Sequence, residues 1–249
     1  MGLTIHYTLK AEKVSTDEAR ALVRQLHAAA LDLPFDEVSE IVEVLGRSSR
    51  SAAKLEVGSD AHRLMAQTGH PVRLMVDGQE AWQLVKPTSL IVFRVDPGQG
   101  CDTVTFGLGQ FPESVEVGGK QVPTDLEGWR WWGFIKTQYA SNPSLGGLKQ
   151  FLRCHLGVVS LLDAAKEIGI LDEVKDEGGY WEKRDISALV KEIGKWNKMV
   201  AGLVGQLTDQ MEAAGQDRKS MMSAITEFPD FERLEAKGRK GEGEGQEYE

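Results

Sequence analysis

This 249-residue sequence has few cysteines and no long apolar run, two features that often assign a protein to a structural class. It has two cysteines, Cys101 and Cys154, too few for a disulfide framework, and no CxxC pair indicates structural zinc. We interpret both as free, buried thiols that pack as small apolar side chains. No apolar run approaches the roughly 18 residues of a membrane-spanning helix, and the first residues lack the pattern of a signal peptide. We therefore expect a soluble, cytoplasmic protein without membrane contact.

Basic residues are in the minority, with 29 Lys and Arg against 38 Asp and Glu and a formal net charge of −9. A protein that binds nucleic acid over its whole surface needs a basic face that displaces counterions from the phosphates. The acidic balance therefore argues against a nucleic-acid partner. A hydrophobic share of 41% and a charged share of 27% are ordinary for a globular protein, so a sizeable core is expected.

Motifs of the common enzyme classes are also missing. The chain has no GxSxG elbow, no HExxH zinc motif, no GxxxxGK[ST] phosphate loop and no complete GxGxxG fingerprint. Cys154 precedes His155, which would bring a nucleophile beside a base, but adjacent residues on a helix do not face each other. We interpret His155 as a hydrogen-bonded histidine of the core or its edge.

The start of the chain carries clear local patterns. Residues 3–10 alternate between apolar and polar side chains, which predicts a strand with one buried face. Ser15 lies three residues before Glu18, the spacing of a capping box at a helix start. Residues 38–45 predict a second strand, so this part of the chain is interpreted as a β-α-β unit.

The later patterns predict an α+β fold, with a mixed or antiparallel sheet packed against about three helices. Further strands are predicted at residues 72–76, 90–95, 103–108, 131–139 and 171–174, and long helices at residues 144–168 and 186–213. Residues 1–214 are expected to form a single domain with an irregular segment at about 46–86. Residues 215–249 are rich in glycine and glutamate and predict a flexible, disordered acidic tail.

The segment between the strand at 131–139 and the following helix offers a candidate anion site. The first N–H groups of a helix are unpaired, and glycines let an anion approach them closely. The candidate anion-binding residues are Lys136, Tyr139, Ser141, Ser144, Gly146 and Gly147. The alternative is an ordinary capped helix whose glycines allow tight packing.

Carboxylates are concentrated in the stretch KDEGGYWEKRD, residues 175–185, between a predicted strand and a predicted helix. Asp185 is placed to cap the helix that follows. The catalytic candidates are Asp176, Glu177 and Glu182, as a general acid–base pair or as metal ligands, with Asp176 and Glu177 favoured for Mg²⁺ or Mn²⁺. The alternative is a solvated polar turn followed by a helix cap.

Four aromatic side chains alternate along the strand predicted after residue 129. Trp129 and Trp131 share one face, and Trp132 and Phe134 share the other. The pattern predicts a strand buried on both sides, or a core strand with a binding platform on one face.

Two functions are compatible with these features. The first is a non-catalytic binding or regulatory protein that meets a protein partner or a small anionic ligand through the Trp-rich strand or the helix at 186–213; a homo-oligomer is a further option. The alternative is a metal-dependent hydrolase or transferase acting on a phosphate-bearing substrate, with Mg²⁺ or Mn²⁺ as cofactor. The enzyme requires the loops after Lys136 and Asp176 to open at the same edge of the sheet. We favour the binding protein, whose cofactor is unknown; Mg²⁺ or Mn²⁺ is expected only under the alternative.

Overall fold

A computed structural model describes residues 3–46, 64–65, 68–76 and 79–198 of the chain. The strands are β1 (Thr4–Ala11), β2 (Glu37–Val38), β3 (Val42–Val44), β4 (His70–Val76), β5 (Gln79–Val85), β6 (Ser89–Asp96), β7 (Val104–Gln110), β8 (Ser114–Val117), β9 (Lys120–Pro123), β10 (Trp129–Lys136) and β11 (Leu171–Asp176). The helices are α1 (Thr16–Leu31), α2 (Gly147–Ile168), the short α3 (Tyr180–Lys183) and α4, which begins at residue 186 and is described as far as residue 198. Two 3-10 turns, Gln138–Ser141 and Pro143–Leu145, join β10 to α2.

The predicted α+β class is confirmed, and the sheet is antiparallel. Among the described residues, the largest sheet has seven strands in the order β11-β1-β10-β7-β6-β2, with β3 also paired to β6. Helices α1 and α2 contact each other, and their apolar side chains join those of the sheet in the main core. Hairpins β4–β5 and β8–β9 pack around a smaller apolar cluster. None of the described helices is both long and apolar enough to cross a membrane.

The local patterns at the start of the chain form the structures they predict. Leu3, Ile5, Tyr7 and Leu9 are all buried, as the alternation along β1 requires. The side chain of Ser15 accepts the N–H of Glu18, and the Glu18 carboxylate accepts the N–H of Ser15 in return. This capping box fixes the start of α1 directly after the turn that leaves β1.

The two strands of the β-α-β unit predicted for this part of the chain are not adjacent in the sheet. Strands β10, β7 and β6 lie between β1 and β2, and the strand predicted at 38–45 forms the two short strands β2 and β3. Alternation shows which side chains of a strand point inward, but it carries no information on which strand lies alongside it.

Most other boundaries are close to their predictions. The strands predicted at 90–95 and 103–108 pair as β6 and β7, and the strand predicted at 131–139 ends at Lys136, before the 3-10 turn Gln138–Ser141. Helix α2 begins at Gly147 rather than at residue 144, because Pro143–Leu145 forms a separate 3-10 turn. Of the irregular segment predicted at about 46–86, residues 70–76 and 79–85 instead form the regular hairpin β4–β5. Most of the remainder lies outside the described residues, as do the predicted acidic tail and the second half of the last long helix.

A second pair of strands that is joined through a helix but separated in the sheet positions the candidate site. Strands β10 and β11 flank β1 and run parallel to each other, because each is antiparallel to β1. The connection β10-α2-β11 therefore brings the ends of both strands to one edge of the sheet. At this edge Thr4 is paired with Lys136, and Ile5 with Asp176.

Candidate functional site

The loops after Lys136 and Asp176 open at the same edge of the sheet, but their side chains lie on opposite faces. Successive residues of a strand point to opposite faces, so the partners of Thr4 and Ile5 are separated by the sheet. Lys136 is exposed on the face away from the helices, whereas Asp176 is buried on the helix side. A ligand that touches Lys136 on this edge therefore does not reach the carboxylate.

The Asp176 carboxylate is fully engaged in hydrogen bonds. It accepts the backbone N–H groups of Gly178, Tyr180 and Trp181 at 2.8–3.0 Å. Its Oδ2 also lies 3.2 Å from Nε2 of His155, and neither side chain has exposed surface. These contacts stabilise the turn that leads from β11 into α3, which is a structural task for this carboxylate.

His155 extends the contact to a third residue. Its Nδ1 lies 3.0 Å from Oγ1 of Thr137, the residue after β10, and both residues are completely buried. We call Thr137, His155 and Asp176 the buried network. Its hydroxyl, imidazole and carboxylate have the composition of a hydrolytic triad, but a hydroxyl without exposed surface meets no substrate. The network instead ties the end of β10, helix α2 and the end of β11 together.

Stability is expected to fall in acid through this network. Burial alone would raise the pKa of Asp176, but hydrogen bonds from His155 and from backbone N–H groups outweigh it, so the pKa lies below the ordinary value of 3.8. Because the folded pKa is the lower one, the stabilisation is complete above about pH 5 and is lost as pH falls through the folded pKa. Thermal melting between about pH 7 and pH 2 should show this loss, and Asp176→Asn should flatten the profile. Parallel profiles for the two proteins would contradict it.

The other acidic candidates do not converge with Asp176. Glu177 accepts the N–H of Thr4 through Oε2 at 3.0 Å, and Glu182 is exposed on α3. Asp185 accepts the N–H groups of residues 187 and 188 and caps α4, as its position predicts. Within the described ranges, no group of three or more His, Cys, Asp or Glu side chains is arranged to hold a metal ion.

The two candidate serines of the anion site are engaged locally. Oγ of Ser141 donates to the carbonyl of Gln138 at 2.7 Å, and this serine is buried. The N–H and Oγ of Ser144 both bond Oδ1 of Asn142, at 3.0 and 2.9 Å. Both hydroxyls therefore stabilise the 3-10 turns between β10 and α2.

The remaining anion candidates line neither of the two cavities identified among the described residues. Gly146 precedes α2 and Gly147 is its first residue. Tyr139 is half-exposed and lies edge-on to Trp196, with ring centroids 5.6 Å apart. Neither glycine nor Tyr139 shares a described cavity with Lys136. The anion site and the metal site thus remain predictions that this arrangement does not favour.

A groove of about 350 Å³ opens instead between β7 and β10. Strands β7 and β10 are paired at one position, Arg130 with Gly109, and separate beyond it. The chain just before β7 meets the end of β10 again, where the N–H of Asp102 donates to the carbonyl of Lys136 at 3.3 Å. We call the opening between these contacts the aromatic groove. Its lining residues are Thr68, Gly69, Asp102, Thr103, Val104, Thr105, Trp131, Trp132, Gly133 and Phe134.

Two side chains from the helix side hold the strands in this separated arrangement. Oη of Tyr7 and Nε1 of Trp131 both donate to the carbonyl of Thr105, each at 2.7 Å. The Tyr7 ring crosses β10 above Gly133, where any Cβ would collide with it, and stacks on Phe106. These two donors take the place of a backbone hydrogen bond from β10 to the carbonyl of Thr105. The strands can therefore separate at the groove without leaving this carbonyl unpaired.

Aromatic side chains continue from the groove across the open face of the sheet. The rings of Trp132 and Phe134 are 5.4 Å apart, and those of Phe134 and His6 are 6.0 Å apart. Phe134 is 43% exposed, whereas Trp129 and Trp131 on the opposite face are buried. Of the two arrangements predicted for this strand, the structure has the core strand with an open aromatic face.

A second apolar surface adjoins the groove on hairpin β4–β5. Met75, Trp82 and Leu84 are among the most exposed large apolar side chains of the described residues, and Trp82 reaches 68% exposure. Leu84 packs directly over Gly69, which lines the groove. Exposed apolar side chains therefore extend from the sheet onto the hairpin.

Sequence reasoning missed the buried network, although part of it carries a signal. Phe151, His155 and Val159 are spaced by four residues, which places His155 on the buried stripe of α2. Val174 and Asp176 are two residues apart in β11, which places Asp176 on the inward face. Thr137 follows the end of a strand, where no periodicity applies.

Comparison with protein-family models, curated proteins and solved structures finds no match to this chain.

Proposed function

We propose that the chain is a cytoplasmic, non-catalytic binding protein that recognises a protein partner through the aromatic groove. The observation that carries the proposal is the open row of His6, Phe134 and Trp132 beside a groove of about 350 Å³. Aromatic side chains left open beside a cavity are typical of binding surfaces, since they supply contact area at a low entropic cost. The Asp176 carboxylate is buried and its hydrogen bonds hold a turn, which also favours a binding protein over a metal-dependent enzyme.

The lining of the groove indicates the chemistry of the partner. Trp132 and Phe134 provide an apolar surface, and the threonines that line the groove provide hydrogen-bonding groups. Asp102 is the one charged residue among those that line it. A peptide segment with an apolar or aromatic anchor next to a lysine or arginine fits this lining, because the anchor would bury apolar area and the cation would meet Asp102.

Substitution of the groove aromatics is expected to abolish peptide binding without unfolding the protein. Peptides would be selected on the wild-type protein from a random display library, and their affinity measured for Trp132→Ala and Phe134→Ala. We expect each variant to lose at least 2 kcal/mol of binding, about 30-fold in Kd, as for an aromatic anchor at the centre of an interface. Asp102→Asn should weaken the same peptides and remove the preference for a basic residue.

Trp82→Ala is the matched control, because it removes an equally large, more exposed aromatic ring outside the groove. Its circular dichroism and peptide affinity should match those of the wild type. Selected peptides that bind Trp132→Ala and Phe134→Ala with wild-type affinity would contradict the groove as the binding site. Loss of affinity only in Trp82→Ala would move the site to hairpin β4–β5.

One observation favours the alternative of a metal-dependent enzyme on a phosphate-bearing substrate. The loops after Lys136 and Asp176 do open at one edge of the sheet, as that enzyme requires. The alternative predicts that Mg²⁺ or Mn²⁺ with a nucleotide raises the melting temperature. A ligand at about 100 times its Kd would add roughly 2.7 kcal/mol to the free energy of unfolding. Absence of any shift would leave the groove as the candidate site.

A further inference from the structure

The two cysteines of the chain meet in one apolar cluster, and neither is in a disulfide. Each thiol lies close enough to shift the pKa of the other. Cys154 lies in the middle of α2, and Cys101 lies in the loop at residues 97–103, which we call the β6–β7 loop. Cys101 also packs against the apolar cluster that contains Cys154 and Phe151. Two residues that are distant in sequence therefore place their sulfur atoms together.

Further contacts hold the β6–β7 loop on helix α2. The Cys154 thiol donates to the carbonyl of Pro97 at 3.2 Å, and Nε2 of Gln150 donates to the carbonyl of Gln99 at 3.3 Å. Within the loop, the N–H of Cys101 donates to a carbonyl three residues earlier at 3.0 Å. The part of the loop that leads into Cys101 is thus fixed on α2, which holds Cys101 beside the helix residue Cys154.

The two thiols differ in access and in charge. Cys154 has no exposed surface, whereas Cys101 is half-buried and reaches solvent. The neighbouring Cys101 thiol lowers the pKa of Cys154, and the positive charge of Arg153 acts in the same direction against burial. The proximity of Cys154, together with burial, raises the pKa of Cys101. The pair therefore combines an accessible thiol, whose raised pKa slows its attack on a disulfide, with a buried thiol that ionises more readily and is placed to resolve a mixed disulfide.

We propose that Cys101 and Cys154 are a redox-active dithiol, which small-molecule disulfides oxidise to an intramolecular disulfide. The sequence contains no third cysteine that could compete for either partner. The bond would join two elements that are already in contact, since the loop is hydrogen-bonded to α2 and packs in the same apolar cluster. Oxidation would turn a set of weak contacts between the β6–β7 loop and α2 into a covalent bond.

The reaction proceeds in two exchange steps. The sulfur of Cys101 attacks one sulfur of the reagent disulfide; the reagent S–S bond breaks, and the first reagent thiol leaves with the proton of Cys101. The sulfur of Cys154 then attacks the sulfur of Cys101 and displaces the second reagent thiol, which leaves with the proton of Cys154. Two protein thiols become one disulfide, and one reagent disulfide becomes two thiols.

The test uses oxidised glutathione on the folded, full-length protein, well below its melting temperature. Intact mass should fall by two hydrogen atoms without a glutathione adduct, and proteolysis should yield one peptide pair linked through Cys101 and Cys154. Reduced glutathione should reverse the change. Titration with defined glutathione ratios then gives the equilibrium constant of the bond.

The single variants are matched controls. Cys154→Ser should accumulate glutathione on Cys101, because the resolving sulfur is missing, and Cys101→Ser should react slowly, because Cys154 is buried. A wild-type protein that also accumulates the adduct at Cys101 would overturn the proposal. So would a disulfide between two chains, or thiols in the wild type that react no faster than Cys154 does in Cys101→Ser.

Oxidation has a consequence for the aromatic groove, and this step rests on the proposed function. Asp102, Thr103 and Thr105 line the groove directly after Cys101 in the chain, so the disulfide would fix one wall of the groove to α2. The selected peptides should bind the oxidised and reduced proteins with different affinities. Equal affinities would reject the coupling between the disulfide and the groove. They would not affect the disulfide proposal itself, which is tested without any peptide.

Discussion

Replacing Asp176 by alanine is expected to lower the free energy of unfolding by about 3–5 kcal/mol, because several buried donors lose their acceptor and each unsatisfied donor costs roughly 1–3 kcal/mol. The substitution takes the acceptor from three N–H groups in the turn before and at the start of α3, and from Nε2 of His155. Each kcal/mol corresponds to roughly 2–4 °C for a domain of this size, so the melting temperature should fall by roughly 6–20 °C. Differential scanning calorimetry would measure the change.

Glu182→Gln is the control, since it removes an exposed carboxylate a few residues away and should leave the melting temperature unchanged. Melting each protein with Mg²⁺ or Mn²⁺ separates the two proposed roles of Asp176. A wild-type metal shift that Asp176→Asn loses, with its melting temperature otherwise unchanged, would support the metal-dependent enzyme. A large loss of stability without any metal effect would support the structural role of the buried network.

Gly107→Ala is the second substitution for which we expect a large effect. Gly107 lies in β7 opposite Val92 of β6, with a φ of +145° that side chains rarely adopt. A Cβ there would stand 2.6 Å from Cα of Val92 and nearer still to the carbonyl oxygen of Ile91. These are backbone atoms of the adjacent strand and cannot rotate away. We expect a loss of about 3 kcal/mol or more, measured by urea denaturation.

Gly118→Ala separates the collision from the backbone conformation. Gly118 lies between β8 and β9 with a φ of +60°, and no atom stands within 4 Å of its Cβ position. We expect it to lose only about 1 kcal/mol, the strain of the left-handed conformation. If the two variants lose equal stability, the close approach of β6 to β7 at Gly107 is not the cause.

The sequence predicts most elements of this fold because their signals are local. The alternation in β1, the capping box at Ser15 and the Asp185 cap each depend on residues within one turn or one strand. The division of aromatic side chains between the two faces of β10 follows from the same alternation, which leaves open whether the face with Trp132 and Phe134 is buried. These features could be inferred before any coordinates were known.

The arrangement of the strands and the sites could not be inferred, because they depend on distant contacts. The aromatic groove exists because β7 and β10 separate, with Tyr7 of a third strand bonded to the carbonyl of Thr105. The meeting of Cys101 with Cys154 likewise needs the β6–β7 loop to lie on α2. Neither contact leaves a periodic trace in the sequence, since periodicity reports burial rather than partners.

The position of β1 between β10 and β11 has a consequence for biosynthesis. Its neighbours are made roughly 120 and 160 residues later, which at a ribosomal rate of about 5–20 residues per second means a delay of roughly 6–30 s. Until β10 is made, the backbone N–H and C=O groups of β1 have neither of their partner strands, and β11 follows later still. A nascent chain released before residue 176 would expose this strand to aggregation and to chaperones. The central sheet therefore completes late, after nearly all of the described chain has left the ribosome.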